Sequence, residues 1–146
     1  MYVKTINQIN NFITFLVYVT YPSVLILLIY SGDARFWRVL LTPSISFVLV
    51  SIFRSYVNAP RPYEITGDIP IINKVAKGKS FPSRHVFSAF VIATTLYFIS
   101  KPLGIFLILA GSLLAILRVI GGVHFPKDVI AGAIIGIVSG ILGFYL

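Results

Sequence analysis

The chain contains no cysteine, so it forms neither a disulfide nor a thiolate metal site, and cysteine usage says nothing about its redox compartment. Acid is scarce: four Asp and Glu stand against twelve Lys and Arg, a formal net charge of +8. Charge of either sign is scarce too, at 11% of residues, whereas 58% are hydrophobic and mean hydropathy is +0.96. A soluble globule could not hide so much apolar surface, and the solvent for this chain must be lipid. The basic excess asks for an anionic partner, either membrane headgroups or a phosphorylated substrate. Nucleic acid is not expected, because the basic residues are split among loops between apolar runs and form no continuous stripe. No soluble domain, long linker or low-complexity tract interrupts the sequence, and residues 1–146 read as one membrane domain. The opening stretch MYVKTINQINNF has one lysine and runs into apolar sequence with no small-residue cleavage signature, the approach to a retained helix.

A membrane-spanning helix needs about 20 mostly apolar residues. Five segments answer to that: 12–31, 36–53, 83–100, 102–121 and 126–146. The expected fold is all-α, an integral membrane bundle of about five transmembrane helices. The long connection 54–82 carries Pro60, Pro62 and Pro70 with Glu64, Asp68, Lys74, Lys77 and Lys79, so it cannot lie in lipid as irregular backbone. A loop of that length in so compact a chain is usually functional. If the chain crosses at every segment, the end of the second, the start of the third, the end of the fourth and the start of the fifth share one face. Three polar clusters, at 54–61, 83–85 and 118–128, then meet on the same side, and one span more or fewer would have parted them. In the last segment Gly132, Gly136 and Gly140 recur every four residues, a spacing that lets backbones approach closely in lipid. Packing within one chain is the expected use, ahead of a dimer face.

Ionisable groups clustered at the end of a membrane segment point to a functional site. His124 and Asp128 are four residues apart, with Pro126 suited to the first turn of a helix between them. The carboxylate can reach back to one imidazole nitrogen, fixing the tautomer so that the other can act as a nucleophile. A helix-capping Asp128 beside a satisfied histidine is the plainer alternative. Ser83, Arg84 and His85 open the third segment, where helix-start amides and the dipole favour phosphate. Ser83 is equally readable as a simple N-cap. His85 is one of only two histidines, both on the polar face. Arg54, Arg61 and Arg118 carry guanidinium forks that match phosphate oxygens, although each alone could be a snorkelling anchor. Convergence of all of them on one face favours a phosphate site.

Arg54 followed after six residues by Arg61-Pro62, then Pro82-Ser83-Arg84-His85, then Arg118 followed after five residues by His124 and after three more by Asp128, resembles the three-part signature of the type 2 phosphatidic acid phosphatase family. The likeness covers Arg54 to Asp128. Three positions depart from it: Arg54 stands where the family usually has lysine, Arg84 where it has glycine, and Leu117 where it has serine before the arginine. Integral members typically have six spans, one more than the segments counted here. The resemblance implies a cofactor-free, metal-independent phosphatase of membrane lipid phosphates. It implies His124 as nucleophile forming a phosphohistidine, Asp128 orienting it, and His85 protonating the leaving oxygen. Arg54, Arg61, Ser83, Arg84 and Arg118 would bind the phosphate.

Asp128 is the sole acid in the three motifs, too little to hold a pair of metal ions. With little protein outside the bilayer to enclose a soluble sugar, a lipid entering sideways is the expected substrate: a polyprenyl diphosphate such as undecaprenyl diphosphate first, then phosphatidylglycerophosphate or phosphatidate. No obligate protein partner is expected. A competing reading is a non-catalytic anion or lipid transporter, which predicts polar residues at mid-bilayer, where the segments offer little beyond Ser46, Thr94, Thr95 and Ser112. A structural protein with a lipid-anchoring basic face leaves the histidines and Asp128 without a role. The positive-inside rule applied alone puts the motif face in the cytoplasm, whereas the resemblance points to the extracytoplasmic face of the cell membrane, the expectation retained here.

Overall fold

The computed structural model describes residues 2–73 and 76–146. Lys74, one of the lysines of the long connection, lies outside the described residues. Among the described residues there are six helices: α1 (Tyr2–Tyr30), α2 (Phe36–Val57), the short α3 (Pro62–Thr66), α4 (Arg84–Tyr97), α5 (Lys101–Ile120) and α6 (Pro126–Tyr145). No strand occurs among the described residues, and the all-α expectation holds. Four of the helices, α1, α2, α5 and α6, are long and apolar enough to cross a membrane, and they make this a multi-pass membrane protein. Their outer faces expose large apolar side chains such as Phe15, Ile26, Leu49, Phe106, Leu109 and Ile134, as a lipid solvent allows.

The third expected span differs. Instead of filling 83–100, α4 has 14 residues, about 21 Å at 1.5 Å per residue and short of a hydrocarbon core about 30 Å thick. It is the centre of the bundle, packed against α1, α2, α5 and α6, and every residue from Val86 to Leu96 is buried. A helix enclosed by protein on all sides is apolar all round, so its composition resembles that of a span. Two further boundaries move. The polar opening stretch is already helical from Tyr2, and α2 continues to Val57, which puts Arg54 in its last turn.

The alternation of directions is as expected. At one end, Arg35 of the α1–α2 turn donates to the carbonyl of Phe98 at 3.2 Å, and Arg38 donates to that of Phe144. At the other end, α1 meets the long loop where Asn7 Nδ2 donates to Ile71 O at 2.7 Å. The Ser83 amide, at the start of α4, donates to Asp128 O in α6 at 2.8 Å. The end of α2 and the starts of α4 and α6 thus share one face with the end of α5.

The glycine repeat in α6 is internal packing. A Cβ on Gly132 would stand 2.7 Å from Ser83 O, and one on Gly136 would stand 2.8 Å from Phe87 O, so α6 approaches α4 at backbone range. That intimacy fixes Ser83 relative to Asp128. In α2, Pro43 supplies no amide to Val39 O one turn earlier, and the Tyr21 hydroxyl of α1 donates to that carbonyl at 2.9 Å. The carbonyl left without its helical amide is thereby satisfied from a neighbouring helix.

Candidate active site

His124 stands in the turn between α5 and α6, and its backbone is set by the end of α5: the amides of Val123 and His124 both donate to Arg118 O, at 3.2 and 3.3 Å. Its imidazole Nδ1 lies 3.5 Å from Asp128 Oδ2, both groups essentially buried. Asp128 is in the first turn of α6, where its Oδ2 also accepts the Phe125 amide at 3.0 Å. The oxygen that caps the start of α6 is thus also the one beside the imidazole, so the two alternatives weighed on the sequence are geometrically compatible.

A third group completes this arrangement. Ser80 Oγ donates to Asp128 Oδ2 at 2.6 Å and lies 3.3 Å from His124 Nδ1. Its single proton is committed to the carboxylate, so the serine oxygen can only accept from Nδ1–H. The network therefore assigns the proton of neutral His124 to Nδ1. Ser80 is completely buried and is held by its own amide donating to Ala59 O at 2.9 Å. Sequence reasoning missed it, because a serine in an irregular loop has no periodicity and no fixed spacing to its partners. The one available signal was its place two residues before Pro82.

His124 opens onto a cavity of about 280 Å³ that is also lined by His85, Arg54, Arg61 and Arg84, with Lys77 and Lys79 from the long loop. Five of the eight residues singled out on the sequence thus share one cavity wall. Among the described residues no carboxylate lines it. Arg54 and Arg61 are buried, at 6% and 2% exposure, yet backbone carbonyls anchor them rather than acids. Arg54 donates to Pro82 O and Lys79 O; Arg61 donates from Nε to Gly78 O at 3.0 Å and from Nη1 to Val123 O at 3.2 Å. Carbonyls orient a guanidinium without cancelling its charge, and the field they leave is that of an anion site. Burial pushes Arg61 below its usual range, an effect that Tyr63, Glu64 and Asp128 partly oppose.

The other three predicted residues stand behind the wall. Asp128 backs His124. Ser83 occupies the N-cap position of α4, but its side chain makes no capping bond, and its buried hydroxyl has no partner among the described residues. Arg118 is buried at 3% exposure near Tyr18 and Arg61, and its Nε likewise has no hydrogen-bond partner among the described residues. A larger groove of about 380 Å³, lined by Tyr18, Tyr21, Pro43, Phe47, Val91 and Ile92 among others, offers neither cation nor acid and is a place for hydrocarbon rather than for chemistry.

Among the described residues no three His, Cys, Asp or Glu side chains form a metal-ligating group. Asp33 is at the opposite end of the bundle, 2.6 Å from Arg35, whose hydrogen bonds hold its carboxyl at about 2.

The sequence model of the PAP2 superfamily matches residues 35–146. The chain belongs to that superfamily. Its matched region begins at the α1–α2 turn and contains every cavity residue, so the family likeness and the charged site coincide. Among curated relatives, the bacitracin transport permease protein BcrC of Bacillus licheniformis is 30% identical over 105 residues, 69% of this chain and 52% of that protein. The chain thus aligns with about half the length of that relative. The undecaprenyl-diphosphatase BcrC of Bacillus subtilis strain 168 is 25% identical over 145 residues, 97% of this chain and 75% of that one. Among solved structures, Aquifex aeolicus LpxE superposes with a TM-score of 0.79 at 30% identity, covering 99% of this chain and 93% of its own. A PAP2-type phosphatidylglycerolphosphate phosphatase from Bacillus subtilis shares the fold with a TM-score of 0.74 at 21% identity, over 95% of this chain and 75% of that one.

Proposed function

We propose that this PAP2 protein is a membrane lipid phosphatase that works through a phosphohistidine and without a metal ion, with a polyprenyl diphosphate as the favoured substrate class. The observation that carries the reading is the meeting of His124, from the turn between α5 and α6, and His85, from the first turn of α4, in one cavity of about 280 Å³ walled by three arginines and, among the described residues, no acid.

With Nδ1 turned to Ser80 and Asp128, His124 uses Nε2 to attack phosphorus in line with the leaving oxygen. The imidazolium that develops shares its Nδ1 proton with the Asp128 carboxylate, which the Ser80 hydroxyl holds in place. His85, at the start of α4, protonates the leaving oxygen and then takes a proton from the water that releases inorganic phosphate. Arg54 and Arg61, already oriented by carbonyls, neutralise the equatorial oxygens, where phosphoryl transfer concentrates charge. Arg118 and the Ser83 hydroxyl support that wall from behind. The cationic lining favours an anion and repels a divalent ion, which is the ground for proposing a metal-free reaction. One named relative is an undecaprenyl-diphosphatase, and another is a phosphatidylglycerolphosphate phosphatase, in keeping with a lipid phosphate. For the chain as a whole we propose an extracytoplasmic cavity.

The transport reading finds less support. Two of the mid-depth hydroxyls are turned back onto their own helices, Thr95 to Val91 O at 2.7 Å and Ser112 to Ile108 O at 2.8 Å; Thr94 is buried with no hydrogen-bond partner among the described residues, and Phe87, Leu96, Leu107 and Leu114 are fully buried apolar side chains of the same core.

The deciding experiment compares wild type with His124→Ala in detergent, measuring phosphate release from polyprenyl diphosphate, phosphatidylglycerophosphate and phosphatidate, with and without EDTA. The variant is expected to lose at least about three orders of magnitude in turnover while still binding lipid phosphate. Activity that survives the substitution refutes the nucleophile, and activity abolished by EDTA refutes the metal-free reaction.

A further inference from the structure

Arg84 opens α4 on the rim of the charged cavity, exposed, where the family signature has glycine. Its guanidinium does not point only at the phosphate site: Cζ stands 5.4 Å from the centre of the Phe47 ring in α2. Phe47 lines the apolar groove between α1, α2 and α4, and with Val48 it also lines a shallower groove that continues along α2 through Ser51, Ile52 and Ser55. Ser51 and Ser55 in turn line the charged cavity. The cavity and the hydrocarbon groove therefore share an edge, and Arg84 is the cation that spans it.

A lipid phosphate with its reacting phosphorus at His124 and its chain in the groove must pass that edge. In a monophosphate ester the atoms there are an ester oxygen and the first carbons. In a diphosphate they are the second phosphate. The charge count points the same way. Arg54, Arg61, Lys77, Lys79 and Arg84 bring five positive charges to a cavity with no carboxylate in its lining among the described residues. Even after the two carboxylates behind the wall, Asp128 and Glu64, are set against them, three positive charges remain, more than one phosphate group balances.

Given the phosphatase reading, we infer that Arg84 is a specificity-determining residue that binds the chain-side phosphate of a lipid diphosphate and so selects diphosphates over monophosphates. As substrate enters, the guanidinium exchanges the Phe47 face for phosphate oxygens, a stronger partner because both groups are charged. In the first step the bond from His124 Nε2 to the terminal phosphorus forms and the bond from that phosphorus to the bridging oxygen breaks. The electron pair stays on the bridging oxygen, which leaves as part of the lipid monophosphate. Arg84 neutralises the charge gathering on that leaving phosphate. Water then cleaves the phosphohistidine to inorganic phosphate and restores the imidazole.

The test measures kcat/KM for farnesyl diphosphate and farnesyl monophosphate in detergent micelles, for wild type, Arg84→Ala and Arg84→Lys. Loss of a charged hydrogen bond in the transition state corresponds to roughly a tenfold to hundredfold effect. The diphosphate-to-monophosphate ratio is expected to fall at least tenfold in Arg84→Ala, and Arg84→Lys should recover part of it. Equal losses on both substrates, or an unchanged ratio, overturn the role of Arg84 and leave the phosphatase reading intact. A folded wild type that releases phosphate from neither substrate overturns both. Because Arg84 is exposed at a helix start, an elution profile and thermal midpoint matching wild type separate a lost contact from a lost fold.

Discussion

Ser80 and Asp128, 48 residues apart, are joined by a buried 2.6 Å hydrogen bond that also brings the serine oxygen within 3.3 Å of His124 Nδ1. The bond ties the long polar loop to the first turn of α6, so the tautomer of the proposed nucleophile depends on a loop far away in sequence.

Ser80→Ala should therefore act on chemistry more than on substrate binding. The carboxylate keeps the Phe125 amide but loses its serine donor, and kcat is expected to fall about tenfold to a hundredfold with KM little moved. The pH profile of kcat should shift as well, since the variant alters the surroundings of the imidazolium. A rise in KM with kcat intact would contradict the positioning role.

Tyr21 and Pro43 form a second pair that can be separated by mutation. Tyr21→Phe strips the donor from Val39 O and is expected to cost about 1 kcal/mol of stability. Pro43→Ala restores an amide one turn after that carbonyl, so the double variant should tolerate the phenylalanine better than the single one does. Thermal unfolding in detergent across the four proteins measures the coupling. Strict additivity would mean that the tyrosine does not serve the proline-freed carbonyl.

Glu64 links the long loop to Arg61. Its Oε2 accepts the amides of Arg61 and Gly78, both at 2.8 Å, and these hydrogen bonds hold its carboxyl below the usual 4.5. A depressed carboxylate contributes stability that is complete above its ordinary pKa and lost as pH falls through the lower, folded value. The loop should thus keep its grip on Arg61 at neutral pH and loosen only below pH 4.5. Glu64→Ala should raise KM for lipid phosphate at neutral pH and remove that part of the acid sensitivity. Identical acid profiles for the variant and wild type would dismiss the tether.

Sidedness can be read by labelling, because the chain contains no cysteine of its own. Lys127→Cys lies on the cavity face and Lys101→Cys at the opposite end, both exposed. A membrane-impermeant maleimide should label the first in intact cells and the second only after lysis. The reverse pattern would put the cavity in the cytoplasm.

The site was largely legible before folding because its chemistry lies in three local motifs. The spacing of His124 and Asp128 is short enough for the turn before α6 and the first helical residues to decide the contact, and the parity of apolar segments puts the motifs at one end. The third segment was misjudged in length, since hydropathy does not distinguish burial in protein from burial in lipid. Ser80, Lys77 and Lys79 were not recognisable as site residues, since loop residues reach their partners through a path that no periodicity describes.

Sequence alone determined the solvent and the end of the bundle that the three motifs share, and the family resemblance of those motifs named the groups proposed for bond-making, because hydropathy and short-range spacing are properties of the chain itself. Only the tertiary structure decided which ring nitrogen of His124 faces Asp128 and Ser80, which arginines wall the cavity and which stand behind it, and that the cavity meets the apolar groove at Arg84. Those relations join residues on different helices, and they exist only once α4 is packed against α6 at backbone distance and the loop is closed over Asp128.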